Sequence, residues 1–326
     1  MGGLARKSAI LNKAKLNKTN FFVVDAGDLF FKTKTINPGI PTDIAKINAE
    51  TIVSSFNKIG CDALNIGEKD FALGIDYLKG LKENSEFPYI SANIKNNLGS
   101  FIFNPYTIVN KNGLKIGIIG LSSSFEYENI LVEEPVEALK KIIDFVDAQS
   151  DFVLLLFNAN ENDLNKLHNA NLPVDFIIQS KSKKRSNDGG KKEIPVYSCG
   201  DRGKYLYEFD FLYNEINNKF IDIAQYESTI KLMERKINNL NNPTNQNVQK
   251  TNQENKLEQI KNYKIKMKEA EDVIDNAVNK IIVNKIALDK NFIDDPEILK
   301  IVDIGNKKRS LIPNPPHGQP GHRHGH

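Results

Sequence analysis

Phe21-Phe22-Val23-Val24-Asp25-Ala26-Gly27-Asp28 is the stretch on which the reading of this chain turns. Four consecutive apolar residues with no polar alternation suit a strand buried on both faces of a sheet. The run stops at two carboxylates separated by a small-residue turn. A helix over 45–58 follows, with Ile47, Ile52, Phe56 and Ile59 at roughly helical spacing. Cys61 to Ile66 is a second short strand, ending at Gly67.

Working outward, the alternation continues. Phe87 to Asn93 reads as a strand, and Tyr106 to Val109 and Leu114 to Leu121 flank Lys111-Asn112-Gly113. An Asn-Gly pair between apolar runs is the strongest short-range hairpin signal. Val136 to Ala148 and Asp163 to His168 read as helices, and Phe152 to Phe157, Val174 to Ile178, Val196 to Cys199 and Tyr205 to Tyr213 as strands. Strands interleaved with helices predict an α/β architecture, with hairpins making the sheet mixed. In the other direction, residues 4–17 read as a basic amphipathic helix.

Past Asn218 the period changes. Ile223, Tyr226, Ile230, Met233, Ile237 and Leu240 recur every three or four residues, as do Ile260, Tyr263, Met267, Ala270, Ile274, Ala277 and Ile281. Between them Asn241 to Asn255 is polar. The pattern predicts an antiparallel coiled-coil hairpin over 221–282, either a docking arm for a protein partner or self-association, or an accessory hairpin packed on the domain. KIIVNKIAL, residues 280–288, also has strand character. Asp295-Pro296 opens a helix to about Ile304, and the tail over 306–326, rich in Pro and His, is expected to be disordered or extended. The expected organisation is a domain over 1–220, the hairpin over 221–282, a final strand and helix over 283–305 packing on the domain, and the tail.

The 326 residues suggest roughly two units. With 44 basic against 41 acidic residues, the net charge is +3, which argues against nucleic acid; the one basic run is Lys181 to Arg185. No apolar run approaches the roughly 20 residues that span a bilayer. Met1-Gly2-Gly3-Leu4-Ala5-Arg6 lacks the apolar core of a signal peptide. Cys61 and Cys199 form no metal or redox motif and read as buried, small apolar residues.

The strand ends carry a recognisable series. Gly2-Gly3-Leu4-Ala5-Arg6, Val24 to Asp28, Gly67-Glu68-Lys69-Asp70-Phe71-Ala72-Leu73-Gly74, Phe87 to Ile94, Lys115 to Leu121 and Ile194 to Gly203 occur in that order. Over residues 2–215 the chain resembles the 5′-nucleotidase-like branch of the calcineurin-like metallophosphoesterases. The resemblance implies an αββα sandwich, a dinuclear metal site and placement in the periplasm or outside the cell. In it, Asp28 stands where the family has an Asp bridging two metals. The departures are specific. The chain starts after the strand that would carry the family's Asp-x-His ligands. Glu68 and Lys69 stand in place of a ligand Asn and the catalytic His, Asn158 in place of a metal-binding His, and Lys181 and Lys183 in place of His-x-His.

A dinuclear phosphoesterase needs inward-pointing carboxylates and neutral imidazoles around two cations. A protonated lysine ligates neither. The resemblance with these departures implies a pseudoenzyme with no cofactor, in which Lys69, Lys181 and Lys183 replace the metals around Asp28. That lysine cluster would be either a closed salt-bridge network or an anion or phosphate site. The alternative is a phosphoester hydrolase using Mg, Mn or Zn. Its ligands would be Asp25, Asp28, Glu68, Asp70 and Asn158, an all-oxygen set suited to Mg or Mn. Of these, Asp25 and Asp70 stand as supporting residues. His322, His324 and His326 could hold Zn or Ni only adventitiously, and His168 is too isolated to nominate as a base.

Overall fold

The computed structural model describes residues 3–17, 20–37, 39–190, 193–215, 218–242, 251–289 and 291–313. In chain order the elements are α1 (Leu4–Asn17), β1 (Val24–Asp25), α2 (Thr42–Ile59), β2 (Ala63–Asn65), α3 (Ile75–Glu83), β3 (Tyr89–Ile90), β4 (Ile94–Asn96), β5 (Tyr106–Lys111), β6 (Leu114–Ser122) and β7 (Ile130–Val132). There follow α4 (Pro135–Lys140), α5 (Ile143–Asp147), β8 (Phe152–Asn158), α6 (Glu161–Asn169), β9 (Phe176–Ser180), β10 (Val196–Tyr197), β11 (Tyr205–Leu212), β12 (Phe220–Asp222), α7 (Ala224–Asn241), α8 (Thr251–Asn276), β13 (Asn279–Ala287) and α9 (Pro296–Ser310). The chain is α/β and divides into two compact units, one built from 1–107, 119–135 and 288–326, the other from 108–118 and 136–287.

The first unit holds a three-stranded sheet in the order β1-β2-β3, parallel throughout, with Asp25 opposite Leu64 and Asn65 opposite Ile90. Parallel pairing sends all three strands out at the same edge, so the loops after Asp25, Asn65 and Ile90 emerge together. Ala45, Ala49, Val53 and Phe56 of α2 bury one helical face against a cluster that includes Leu64, Phe71, Leu78, Tyr89 and Phe103. Burying each large apolar side chain contributes about 1.5–3 kcal/mol. Gly60, at φ 82°, ends α2, its N–H donating to the Phe56 carbonyl at 2.8 Å.

α9 completes this unit by packing on α1 and α2. Asp295 caps it: one carboxylate oxygen accepts the Glu297 N–H at 2.8 Å and the Ile298 N–H at 3.3 Å. The other oxygen accepts the Ser8 hydroxyl at 2.6 Å and the Asn12 amide at 2.7 Å. Gly305 has no Cβ where one would collide with Thr51 of α2, which allows the two helices to touch. α9 runs to Ser310, past the start at 306 expected for the tail. Lys307, Lys308 and Arg309 in its last turn favour the dipole there.

In the second unit the order is β10-β9-β8-β6-β5, with β8 buried at all seven positions. β5 and β6 are joined by Asn112 and Gly113 at φ 54° and 85°, the left-handed pair a two-residue hairpin needs. A second sheet, β11-β13-β12, meets this one through aromatic rings. Phe152 stands edge-on to Phe211 at 5.0 Å, and Phe176 to Phe209 at 4.9 Å. α7 and α8 pack on each other, with Met233 and Ala270 buried and the Lys236 amine 5.2 Å above the Tyr263 ring.

Several sequence expectations are corrected. The helix over 136–148 is two short helices, because Lys141 and Ile142 donate to carbonyls three residues back and tighten the chain into a turn. KIIVNKIAL is β13, so Ile281 belongs to a sheet, opposite Phe211 and Asp222, and not to a heptad. β4, β7 and β12, three residues each, were not foreseen. Cys199 is exposed and Cys61 only half-buried. The central residues of the Asn241–Asn255 connection, the tail beyond Pro313 and Gly2 lie outside the described residues. Among the described residues no helix is long and apolar enough to cross a membrane.

Candidate functional site

Two sets of sequence-predicted residues lie at the carboxyl ends of parallel strands, where ligands of α/β sheets collect. In the first unit the loop after β1 turns on Asp25, whose carboxylate accepts the Gly27 N–H at 3.1 Å. Gly27, at φ 100°, passes so close to the exit of β2 that a Cβ would stand 2.9 Å from the Asn65 carbonyl oxygen. Asp28 then adopts the left-handed conformation at φ 60°, which Asp tolerates better than most residues.

That turn places Asp28 on the helical turn Glu68–Phe71. One Asp28 oxygen accepts the Lys69 N–H at 3.0 Å, and the other lies 3.1 Å from the Lys69 amine. The amine is off the line that a hydrogen bond requires, so charge rather than alignment holds the pair. The Asp28 side chain is 6% exposed and that of Lys69 33%. An unpartnered carboxylate this deeply buried would cost several kcal/mol, on the order of 3–5, which the lysine relieves.

Asp70 is the structural hub. It is buried and accepts three backbone N–H groups, from Phe30 at 3.0 Å, Asp28 at 3.0 Å and Gly67 at 2.9 Å. Burial first, and then the Asp28 charge, push its carboxyl up to about 7 against the pull of those three donors. Burial likewise raises Asp25, opposed by the Lys7 charge. Glu68 is half-buried beside them.

A buried polar network ties the strand exits together. Asn65 donates to the carbonyls of Ala26 at 3.1 Å and Leu121 at 2.8 Å, while its Oδ1 has no hydrogen-bond partner. Asn93 donates to the carbonyls of Ser122 and Glu133 and accepts the Ser122 N–H at 3.0 Å. The Ser122 hydroxyl donates to the Ile66 carbonyl at 2.6 Å. Sequence reasoning did not single out these three residues. For Asn65 and Ser122 the signal was a polar residue at the end of an otherwise apolar strand, in Leu64-Asn65-Ile66 and Gly120-Leu121-Ser122.

Two of the candidate metal ligands, Asp28 and Asp70, are already engaged within the protein. Asp70 spends both oxygens on backbone N–H groups, and Asp28 spends its oxygens on Lys69. Among the described residues no group of three or more His, Cys, Asp or Glu is placed to hold a metal. The Lys69 amine in contact with the Asp28 carboxylate would repel such an ion.

The remaining predicted residues belong to the second unit. Asn158 ends β8, fully buried, its Nδ2 donating to the Ser180 hydroxyl at 2.8 Å and its Oδ1 without a hydrogen-bond partner. Lys181 follows β9 at φ 65° and is exposed, as is Lys183. The structure therefore gathers Asp25, Asp28, Glu68, Lys69 and Asp70 within one unit, and places Asn158, Lys181 and Lys183 in the other.

The fold has known counterparts. The chain shares the fold of the calcineurin-like phosphoesterase YfkN from Bacillus subtilis, on which it superposes with a TM-score of 0.62, covering 94% of this chain and 89% of that one at 17% identity. A sulfate thiohydrolase, SoxB from Thermus thermophilus, matches with a TM-score of 0.66 at 14% identity, over 95% of this chain and 47% of that one. Within that fold, the sequence relatives place the resemblance in the 5′-nucleotidase branch. The trifunctional nucleotide phosphoesterase YfkN of Bacillus subtilis is 24% identical over 79% of this chain, and a Vibrio cholerae 5′-nucleotidase 32% identical over 44%. The chain spans only 21% and 28% of the length of those two relatives. No family model matches it.

Proposed function

We propose that this chain is a non-catalytic member of the phosphoesterase fold, a pseudoenzyme that serves as a binding or scaffold protein. What supports the reading is one contact, the Lys69 amine 3.1 Å from Asp28, at the position where the family resemblance calls for a metal-bridging carboxylate. The amine neutralises the carboxylate that a metal would otherwise neutralise, so the loop and its core keep their shape with no cofactor. Asn158, Lys181 and Lys183 are assigned the same history, as former metal-site positions that no longer ligate. The helical pair α7 and α8, read as a coiled-coil hairpin, is the docking arm for a protein partner or a second copy. Leu232, Leu257 and Ile265 stay exposed along it. Placement in the periplasm or outside the cell rests on the family resemblance alone.

The second reading, a hydrolase using Mg, Mn or Zn, draws support from the relatives, whose names are those of nucleotide phosphoesterases and 5′-nucleotidases. It requires Asp28 to exchange Lys69 for a cation. The two readings separate in one experiment: metal analysis of the purified chain alongside hydrolysis of nucleoside 5′-monophosphates with each cation. The expected result is sub-stoichiometric metal and no hydrolysis that depends on Asp28. Stoichiometric metal with turnover abolished in Asp28→Asn would establish the hydrolase.

A further inference from the structure

A cavity of about 460 Å³ in the second unit, between α6 and the loop leading from β9 to β10, is independent of the Asp28 site and of the reading placed on it. Its size falls within the roughly 300–1,000 Å³ of small-molecule sites. The basic loop presents to it the residues that the family comparison did not single out: Lys184 and Arg185 line it, and Lys181 and Lys183 do not. Neither Lys184 nor Arg185 has a carboxylate within ion-pair distance among the described residues. His168, on α6, faces the same space.

The loop is held in place rather than trailing. The Arg185 guanidinium stacks 4.1 Å over the Tyr205 ring, which sets its plane. The Ser186 N–H donates to the Ser198 carbonyl at 3.0 Å, and the Tyr207 hydroxyl donates to the Ser186 carbonyl. A pre-set guanidinium loses less freedom on binding an oxyanion than a mobile one. The opposite chemistry is present too, since the carboxylates of Glu161 and Asp188 also line the cavity. Carboxylates accept hydrogen bonds and reject a second anionic group, so the body of the ligand must supply donors.

We infer that this cavity binds a small organic anion bearing hydroxyl groups, such as a phosphorylated or carboxylated polyol. Lys184 and Arg185 hold the charged head, and Glu161 and Asp188 accept from the hydroxyls.

The test is calorimetric titration of the full chain with glucose 6-phosphate and with gluconate, beside glucose and inorganic phosphate. Saturable binding of at least one of the two hydroxylated anions is expected, tighter than for glucose or phosphate. The double change Lys184→Ala with Arg185→Ala should weaken it at least about tenfold, with the fold retained by circular dichroism, since both side chains are exposed. Glu161→Gln should weaken the hydroxylated anion and spare inorganic phosphate. Absence of saturable binding, affinity that survives the double change, or equal affinity for phosphate and glucose 6-phosphate would each overturn the inference.

Discussion

Asp28 and Asp70 share one backbone hydrogen-bond network, and the charge of Asp28 acts on Asp70. Asp70 is raised by burial and then by the Asp28 charge, to about 7. A carboxyl whose folded pKa exceeds its unfolded value binds more protons when folded, across the interval between the two values. Stability therefore falls as pH climbs from about 4 to about 7 and is level above that. Asp28→Asn removes the second cause and keeps a residue that tolerates the left-handed turn. The expected outcome is a urea midpoint that drops between pH 5 and pH 8 in the parent chain and drops less in Asp28→Asn. Equal slopes in the two proteins would show that the charge of Asp28 does not reach Asp70.

Among the elements, α9 is capped by a single carboxylate, that of Asp295. Burial opposes the Asp295 charge, but the Ser8 hydroxyl, the N–H groups of Glu297 and Ile298 and the Asn12 amide outweigh it and hold the carboxyl below its usual range. Asp295→Ala removes a helix cap and leaves two side-chain donors of α1 without their acceptor, and it should lower stability by about 1–3 kcal/mol by chemical unfolding. The contribution is present above the ordinary carboxylate range and lost below it, so the difference between variant and parent should shrink in acid. This cap was legible in the sequence, because Asp-Pro before a helical pattern has a local cause. The Asn-Gly hairpin and the strand-then-carboxylate stretch at 21–28 were legible for the same reason. Heptad spacing through Ile281 failed, since the period cannot tell a helix from a strand once Asn279 anchors the neighbouring loop through both faces of its amide. Of the candidate site, Asp28 and Lys69 could be read from motif position. Asp70 as a hub, and Lys184 and Arg185 as a cavity wall, depend on how a loop folds back, which no spacing encodes.

At the level of the whole molecule, the first unit is assembled from three separate stretches of chain, with 288–326 arriving last. Its core helix α2 takes α9 along one side, and the Asn65, Asn93 and Ser122 network draws on residues from both sides of the 108–118 excursion. A fragment ending at residue 135 should therefore give a poorly dispersed amide spectrum, and adding 288–313 as a separate peptide should sharpen it. A well-dispersed spectrum from the fragment alone would mean that α9 is an accessory.

The clasp at Asp295 also fixes an order of events in synthesis. Ser8 and Asn12 reach their acceptor across 287 and 283 residues. At roughly 5–20 residues per second, a ribosome needs on the order of tens of seconds to deliver it. For that interval α1 stands with its anchoring groups unmet, a basic amphipathic segment open to whatever meets a nascent chain.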